Sequence, residues 1–290
     1  MVGTERSGGL TQKKCNEHLQ FPKKISTFAV EIFYHNMSHL SKAQIKWVRQ
    51  LQQKKFRDAE GVFVAEGEKC VNDLKEAFEL LLLVTPDNAT ATEIEQMSSL
   101  RTPQGVIGVF KRRLDIGYRL SDIGYRLSDI GDGLWVALDG VQDPGNLGTI
   151  IRTCDWFGIH HIVCSRETAD CYNPKVVQAT MGALARVHVH YVDDLPSVLR
   201  AYQQAGYPVY GTLLDGKNMY EPMAIASKEK GIIVMGNEGN GISPAVRDMV
   251  THPLFIPSYP AEAATSESLN VSIATAIVLA EFRRNTTHLK

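Results

Sequence analysis

The stretch WVALDGVQDPGNLGTIIRTCDWF, residues 135–157, sets how the second half of this chain folds. Its unbroken apolar run at 135–138 is what a strand covered on both faces requires. Asp143-Pro144-Gly145 then makes a turn, Asn146 stands where a helix needs a cap, and apolar residues at helical spacing continue to Phe157. Gly148 leaves backbone N–H groups open to an anion, and Arg152 follows within the helix, where a guanidinium can grip a phosphate bidentately. A strand passing through a glycine-bearing turn into a helix is where α/β sheets hold ligands.

Outward from this stretch the same alternation continues. Downstream strands are expected at 161–164, 187–191, 209–212, 232–235 and 254–256, with helices at 174–181, 195–205 and 243–249. That order predicts a mostly parallel sheet covered by helices. Upstream, strands at 62–65, 80–85 and 106–110 alternate with helices at 68–78 and 92–98, a smaller α/β domain over 37–110. Residues 1–36 are polar and aperiodic and read as a flexible extension. Between 115 and 128 the heptad DIGYRLS occurs twice without mismatch, which marks 111–133 as a linker carrying a tandem duplication. The second domain then runs over 134–290.

Composition narrows the classes. With 44% apolar and 22% charged residues the chain has the makeup of a folded globular protein rather than a disordered one. No apolar run reaches membrane-spanning length, and the lysines near the N-terminus precede no signal-peptide core, so a soluble, cytoplasmic protein is expected. Five cysteines form no CxxC pair, and no His, Cys, Asp or Glu set has ligand spacing, so neither a disulfide framework nor a metal is expected. Neither a G-x-G-x-x-G nor a P-loop stands at a strand-to-helix junction, which sets aside dinucleotide oxidoreductases and P-loop NTPases.

Two further blocks follow the first. In MGNEGNG, residues 235–241, an apolar strand ends in three glycines around Glu238, a loop whose backbone can approach a ligand. In SLNVSIA, residues 268–274, Ser268 and Asn270 precede a charge-free stretch at 271–280 that reads as a helix buried on nearly all sides. Capping accounts for one of those two polar residues and leaves the other a hydrogen-bonding task. Taken singly, Asn146 is a cap, Arg152 a surface arginine and the glycines a turn; three blocks in one half of the chain argue for a shared site.

In order and spacing the three blocks resemble the motifs of the SpoU (TrmH-like) RNA 2′-O-methyltransferases of the SPOUT superfamily, over about residues 134–284. The segment 37–110, with KKFRDAEGVFVAEGEK at 54–69, resembles the ribosomal-protein-L30e-like substrate-binding domain of larger family members. The resemblance implies a C-terminal trefoil knot, S-adenosylmethionine bound within it, and a homodimer. It assigns Arg152 to the acceptor ribose and its phosphate, in reach of the partner subunit's site. Asn146, Glu238, Ser268 and Asn270 complete the catalytic set, and Gly236, Ile256, Leu269 and Thr212 line the methyl donor. One departure stands out: residues 258–267 lie between Pro257 and Ser268, a longer interval than the family pattern, and they lack its glycine, so no contacts carry over to them.

The physical chemistry agrees with that assignment. Methyl transfer needs a cationic sulfonium donor aligned with an oxygen nucleophile, so positioning and local electrostatics do most of the catalysis. A ribose hydroxyl ionises poorly near neutrality and needs a proton acceptor. Arginine is rarely neutral, which favours phosphate orientation over proton abstraction as the role of Arg152. From Ser41 to Arg57 there are six basic residues and no acidic one, and at helical spacing Lys42, Lys46, Arg49 and Arg57 form a positive face suited to RNA phosphates. His160, His161, His188 and His190 lack ligand companions and read as structural. The expected activity is 2′-O-methylation of RNA, ribosomal before transfer RNA. A non-catalytic ribosome-assembly factor with the same fold is the alternative, and a base methyltransferase is disfavoured by Asn146 and Arg152.

Overall fold

The computed structural model describes residues 39–113, 133–260 and 268–284. The extension 1–36, the duplicated heptads and most of the interval 258–267 lie outside the described residues.

The first part begins with α1 (Lys42–Gln50), started by a reciprocal capping box between Ser41 and Gln44. The helical spacing that put Lys42, Lys46, Arg49 and Arg57 on one face is broken at Leu51–Gln53, and a second helix, α2 (Lys54–Glu60), follows. Arg57 belongs to this division and not to the positive face. Its guanidinium turns inward, donates to Leu51 O (3.1 Å) and Gln52 O (2.8 Å), and so satisfies carbonyls released where α1 ends. Next come β1 (Val62–Glu66), α3 (Glu68–Lys75), β2 (Leu80–Val84), α4 (Ala91–Met97) and β3 (Ile107–Lys111). The three strands form an antiparallel sheet of order β1-β3-β2.

Both faces of this small sheet are apolar, because strand alternation sends successive side chains to opposite sides. Val62, Leu82 and Val109 pack with Ile45, Val48 and Met97 of α1 and α4. Phe63, Ala65 and Phe110 face the other way, with Val71 and Leu74 of α3, and join the core of the second part. The rings of Phe63 and Tyr172 lie 4.8 Å apart across that junction. The two parts therefore share a core, and the ion pair of Arg57 with Asp170 (2.7 Å) crosses the same boundary.

The second part contains β4 (Leu134–Leu138), α5 (Pro144–Trp156), β5 (His161–Ser165), α6 (Pro174–Thr180), β6 (His188–Val192) and α7 (Leu195–Gln204). It continues with β7 (Val209–Asn218), β8 (Gly231–Met235), α8 (Pro244–Arg247), β9 (His252–Phe255) and α9 (Val271–Arg283). Six strands in the order β6-β5-β4-β8-β7-β9 pair in parallel throughout. LWVAL and GIIVM are buried at every position, as central parallel strands between two helix layers must be. Val136 and Leu138 face α5, α6 and α9, whereas Trp135 and Ala137 face α7 and α8.

Two expectations change here. Gly148 is buried, and a Cβ there would lie 2.5 Å from Ala179 Cβ and 2.9 Å from Val176 O, so it serves the close packing of α5 on α6 rather than an anion. Helix α9 is also not buried all round. Ile273 is 52% exposed and Ala280 is exposed as well, leaving apolar surface uncovered. Among the described residues no helix is long and apolar enough to cross a membrane.

Candidate active site

The sheet changes direction of build between β4 and β8, since β5 and β6 extend it on one side and β7 and β9 on the other. Ligands of such sheets sit at the carboxyl ends of strands beside that point. The connection after β4 leads to Asn146 and the connection after β8 carries Glu238, so the fold brings the first two sequence blocks to this place.

Asp143, not Asn146, caps α5: its carboxylate accepts from Asn146 N (2.8 Å), with Pro144 at the first helical position. The Asn146 side chain is thereby released for other work. Asn270 caps α9, its Oδ1 accepting from Ser272 N (3.0 Å) and Ile273 N (3.3 Å). Backbone donors thus set the orientation of the Asn270 amide, whose Nδ2 points away and donates to Asn146 Oδ1 (2.9 Å). Asn146 must then turn its own Nδ2 outward, where it donates to Glu238 Oε1 (2.9 Å). One directed chain of hydrogen bonds, starting at a helix N-terminus, links all three blocks.

The loop bearing Glu238 is held by Asn237, which motif and spacing do not single out. Asn237 donates from Nδ2 to Gly140 O (2.6 Å) and accepts from Gly239 N (2.8 Å) and Asn240 N (3.0 Å). Its backbone pairs with Gly241 in both directions. An asparagine among glycines is the available signal for such an Asx turn. At Gly236 an added Cβ would lie 2.3 Å from Gly241 C and 2.4 Å from Ile242 N, so only glycine lets the loop fold back on its strand. Asp139 adds a clasp by accepting from Ser243 N (2.7 Å).

The residues expected to line the donor fall in two groups. Thr212 lies within β7, where that strand leaves β8, while Gly236 and Ile256 directly follow β8 and β9; Thr212 Oγ1 is 3.5 Å from Val234 O. Backbone groups just after β8 and β9, with one hydroxyl on β7 beside them in the sheet order, fit a nucleoside-bearing donor. Leu269 and Ser268 are exposed just before α9. Arg152 is not in the cluster. Six residues beyond Asn146 on α5, it is exposed on a side shared with Thr149 and with Trp156, which is 84% exposed.

Lys42, Lys46 and Arg49 are exposed on α1. His161, His188 and His190 stack on the sheet beside Trp135, while His160 stands exposed before β5: Trp135 and His161 rings are 4.4 Å apart, His161 and His188 5.3 Å, and His161 Nδ1 lies 3.1 Å from His190 Nε2. Burial, followed by mutual repulsion, pushes His190 down to about 3 and His161 down to about 4.

Residues 133–280 match the model of the SpoU rRNA Methylase family, and residues 42–96 match the MRM3-like substrate binding domain. This chain belongs to the SpoU rRNA methylase family. Over 147 residues, half of this chain and 56% of the relative, it is 37% identical to the 23S rRNA (guanosine(2553)-2′-O)-methyltransferase RlmP of Bacillus subtilis. The chain spans about half the length of the curated relatives it matches first. A TrmH-family structure from Porphyromonas gingivalis superposes with a TM-score of 0.74 at 38% identity, covering 85% of this chain and 99% of that one. The AdoMet-bound rRNA methyltransferase of Sinorhizobium meliloti gives 0.72 at 31% identity, covering 86% and 97%. This SpoU chain thus matches known structures through both of its parts.

Proposed function

We propose that this SpoU-family chain is an S-adenosylmethionine-dependent RNA 2′-O-ribose methyltransferase whose substrate is ribosomal RNA. The observation that carries the reading is the directed chain Asn270 to Asn146 to Glu238, which joins the family's three motifs at the sheet's switch point. Relatives named for rRNA 2′-O-methylation and an AdoMet-bound neighbour support donor and substrate. Gly236, Ile256, Thr212 and Leu269 would hold the donor, which supplies an electrophilic methyl group when bound. The Glu238 carboxylate, oriented by Asn146, accepts a hydrogen bond at the acceptor side, and Ser268 offers a hydroxyl beside the cap of α9.

Arg152 is the phosphate-orienting residue in this reading, and it acts across a dimer. What supports the dimer is a surface that one subunit leaves bare: Trp156 next to Arg152 on α5, and Ile273 on the adjoining α9. A second copy covering these helices would carry its Arg152 to the first copy's site. A C-terminal trefoil knot belongs to the same reading. Lys42, Lys46 and Arg49 supply sequence-independent RNA affinity. A cytoplasmic location is also part of it, supported by relatives named for 23S rRNA that come from bacteria.

The test is transfer of labelled methyl from S-adenosylmethionine to total RNA from cells lacking the protein, with ribose methylation mapped afterwards. One rRNA position that loses its 2′-O-methyl group in those cells and regains it in vitro is the expected outcome. RNA binding without any transfer would instead favour the non-catalytic assembly factor, and a mapped tRNA position would reassign the substrate.

A further inference from the structure

A cavity of about 480 Å³ lies between the two parts of the chain, against edge strand β6 and away from the Asn146–Glu238 cluster. Its size falls within the roughly 300–1,000 Å³ of small-molecule sites. Lys54, Arg112, Arg113 and Arg166 line it together with Asp58 and Asp170. Each carboxylate is already engaged. Asp58 accepts from both Lys54 (2.6 Å) and Arg112 (2.7 Å), Asp170 holds Arg57, and Arg166 is paired with Asp193.

Two adjacent arginines are left incompletely matched. Arg112 donates through Nε to Val62 O (2.9 Å) and through one terminal nitrogen to Asp58, but its other terminal nitrogen is buried without a partner among the described residues. Arg113 reaches neutral groups: Ala185 O (2.8 Å), Val187 O (3.4 Å), His188 Nδ1 (3.3 Å) and the face of Phe78, 4.4 Å away. Burial lowers its pKa, and no carboxylate among the described residues opposes that effect. A half-buried cation with no carboxylate partner among the described residues, beside an unsatisfied N–H of a second cation, is costly unless an anion completes the pair.

We propose that this interdomain cleft is a phosphate-binding site centred on Arg112 and Arg113, and that its ligand is a phosphodiester of the RNA strand outside the methylated nucleotide. Guanidinium forks suit phosphate oxygens, and Lys54 and Arg166 at the rim extend the positive surface along a strand. The choice of RNA as the phosphate's source rests on the methyltransferase reading; the anion chemistry does not.

The experiment uses the full-length protein with a fluorescent single-stranded RNA of rRNA sequence, read by anisotropy over a salt series, and with inorganic phosphate and adenosine monophosphate as competitors. Arg112→Gln and Arg113→Gln should each weaken RNA binding about tenfold and flatten the logarithmic salt slope by about 0.7 for each phosphate no longer neutralised, the single-strand value. Lys54→Gln and Arg166→Gln, outside the core, provide a second pair that folds independently of the buried groups, and each should reduce the slope in the same direction. Arg113→Lys should recover part of the affinity. Calorimetry with S-adenosylmethionine should be unchanged in every variant, which separates this site from the donor site. Competition by phosphate or the mononucleotide at micromolar concentration would keep the phosphate site but overturn RNA as its ligand in favour of a free small anion. Folded variants that bind RNA with wild-type affinity and slope, with no phosphate binding, would overturn the proposal. Failure of methyl transfer in the wild type with these binding effects intact would overturn only the enzymatic reading.

Discussion

At the scale of single residues, the site depends on amide polarity more than on charge. Asn270→Asp separates two jobs of one side chain. Aspartate caps a helix as well as asparagine does, so chemical denaturation should show a change within about 0.5 kcal/mol, whereas Asn270→Ala should cost about 1 kcal/mol. The new carboxylate cannot donate to Asn146, which must turn its amide over and face Glu238 with an oxygen. Methyl transfer should therefore fall by about a hundredfold, the cost of losing an oriented donor. Arg152→Ala should abolish transfer to RNA while calorimetry shows donor binding within about twofold of wild type, because Arg152 is exposed on α5 and the residues that would hold the donor lie on other elements. Full activity of that variant with cognate RNA would remove Arg152 from the mechanism. Candidates such as Asn146, Glu238 and Asn270 were legible from their motifs. Their connection was not, since the bonded pairs are 92 and 124 positions apart in the chain.

Among elements, Gly148 sets helix propensity against packing. Replacing a mid-helix glycine by alanine would by propensity stabilise α5 by about 1 kcal/mol. The new methyl would meet Ala179 and the Val176 carbonyl where α5 packs on α6, so Gly148→Ala should instead destabilise by about 1–3 kcal/mol in urea titration. Strands were readable because central parallel strands are continuous apolar runs, and each strand expected from periodicity starts within two residues of its place, although β7 runs six residues further than expected. Helix ends were less so. The division of α1 from α2 depends on Arg57 bonding to the carbonyls of Leu51 and Gln52, which no periodicity records.

Over the whole molecule, the two parts are joined through a shared core. Arg57 is 2% exposed and Asp170 15%, so Asp170→Ala strands a buried guanidinium and should cost about 3–5 kcal/mol, measured as a lowered urea midpoint. Arg57→Met combined with Asp170→Leu should cost less, because no charge is left unpaired. The histidine stack makes the same molecule acid-sensitive. His190 and His161 are held well below the unfolded value near 6.5, so their contribution is present above that pH and is lost as pH falls towards about 4 and then 3. Each proton taken up by the unfolded state should lower stability by about 1.4 kcal/mol per pH unit across that window. His190→Phe should flatten the melting-temperature profile between pH 6.5 and 4.

The α/β class, the succession of strands, the family, and the residue types at the candidate site all follow from the chain read on its own, because apolar periodicity and short motifs are local properties. Which way Arg57 points, why Gly148 is a glycine, which amide donates to which, and that Arg112 and Arg113 meet in one cleft were settled by folding alone. Those outcomes depend on which elements are packed against each other, and a residue's own neighbours in sequence carry no record of partners a hundred positions away.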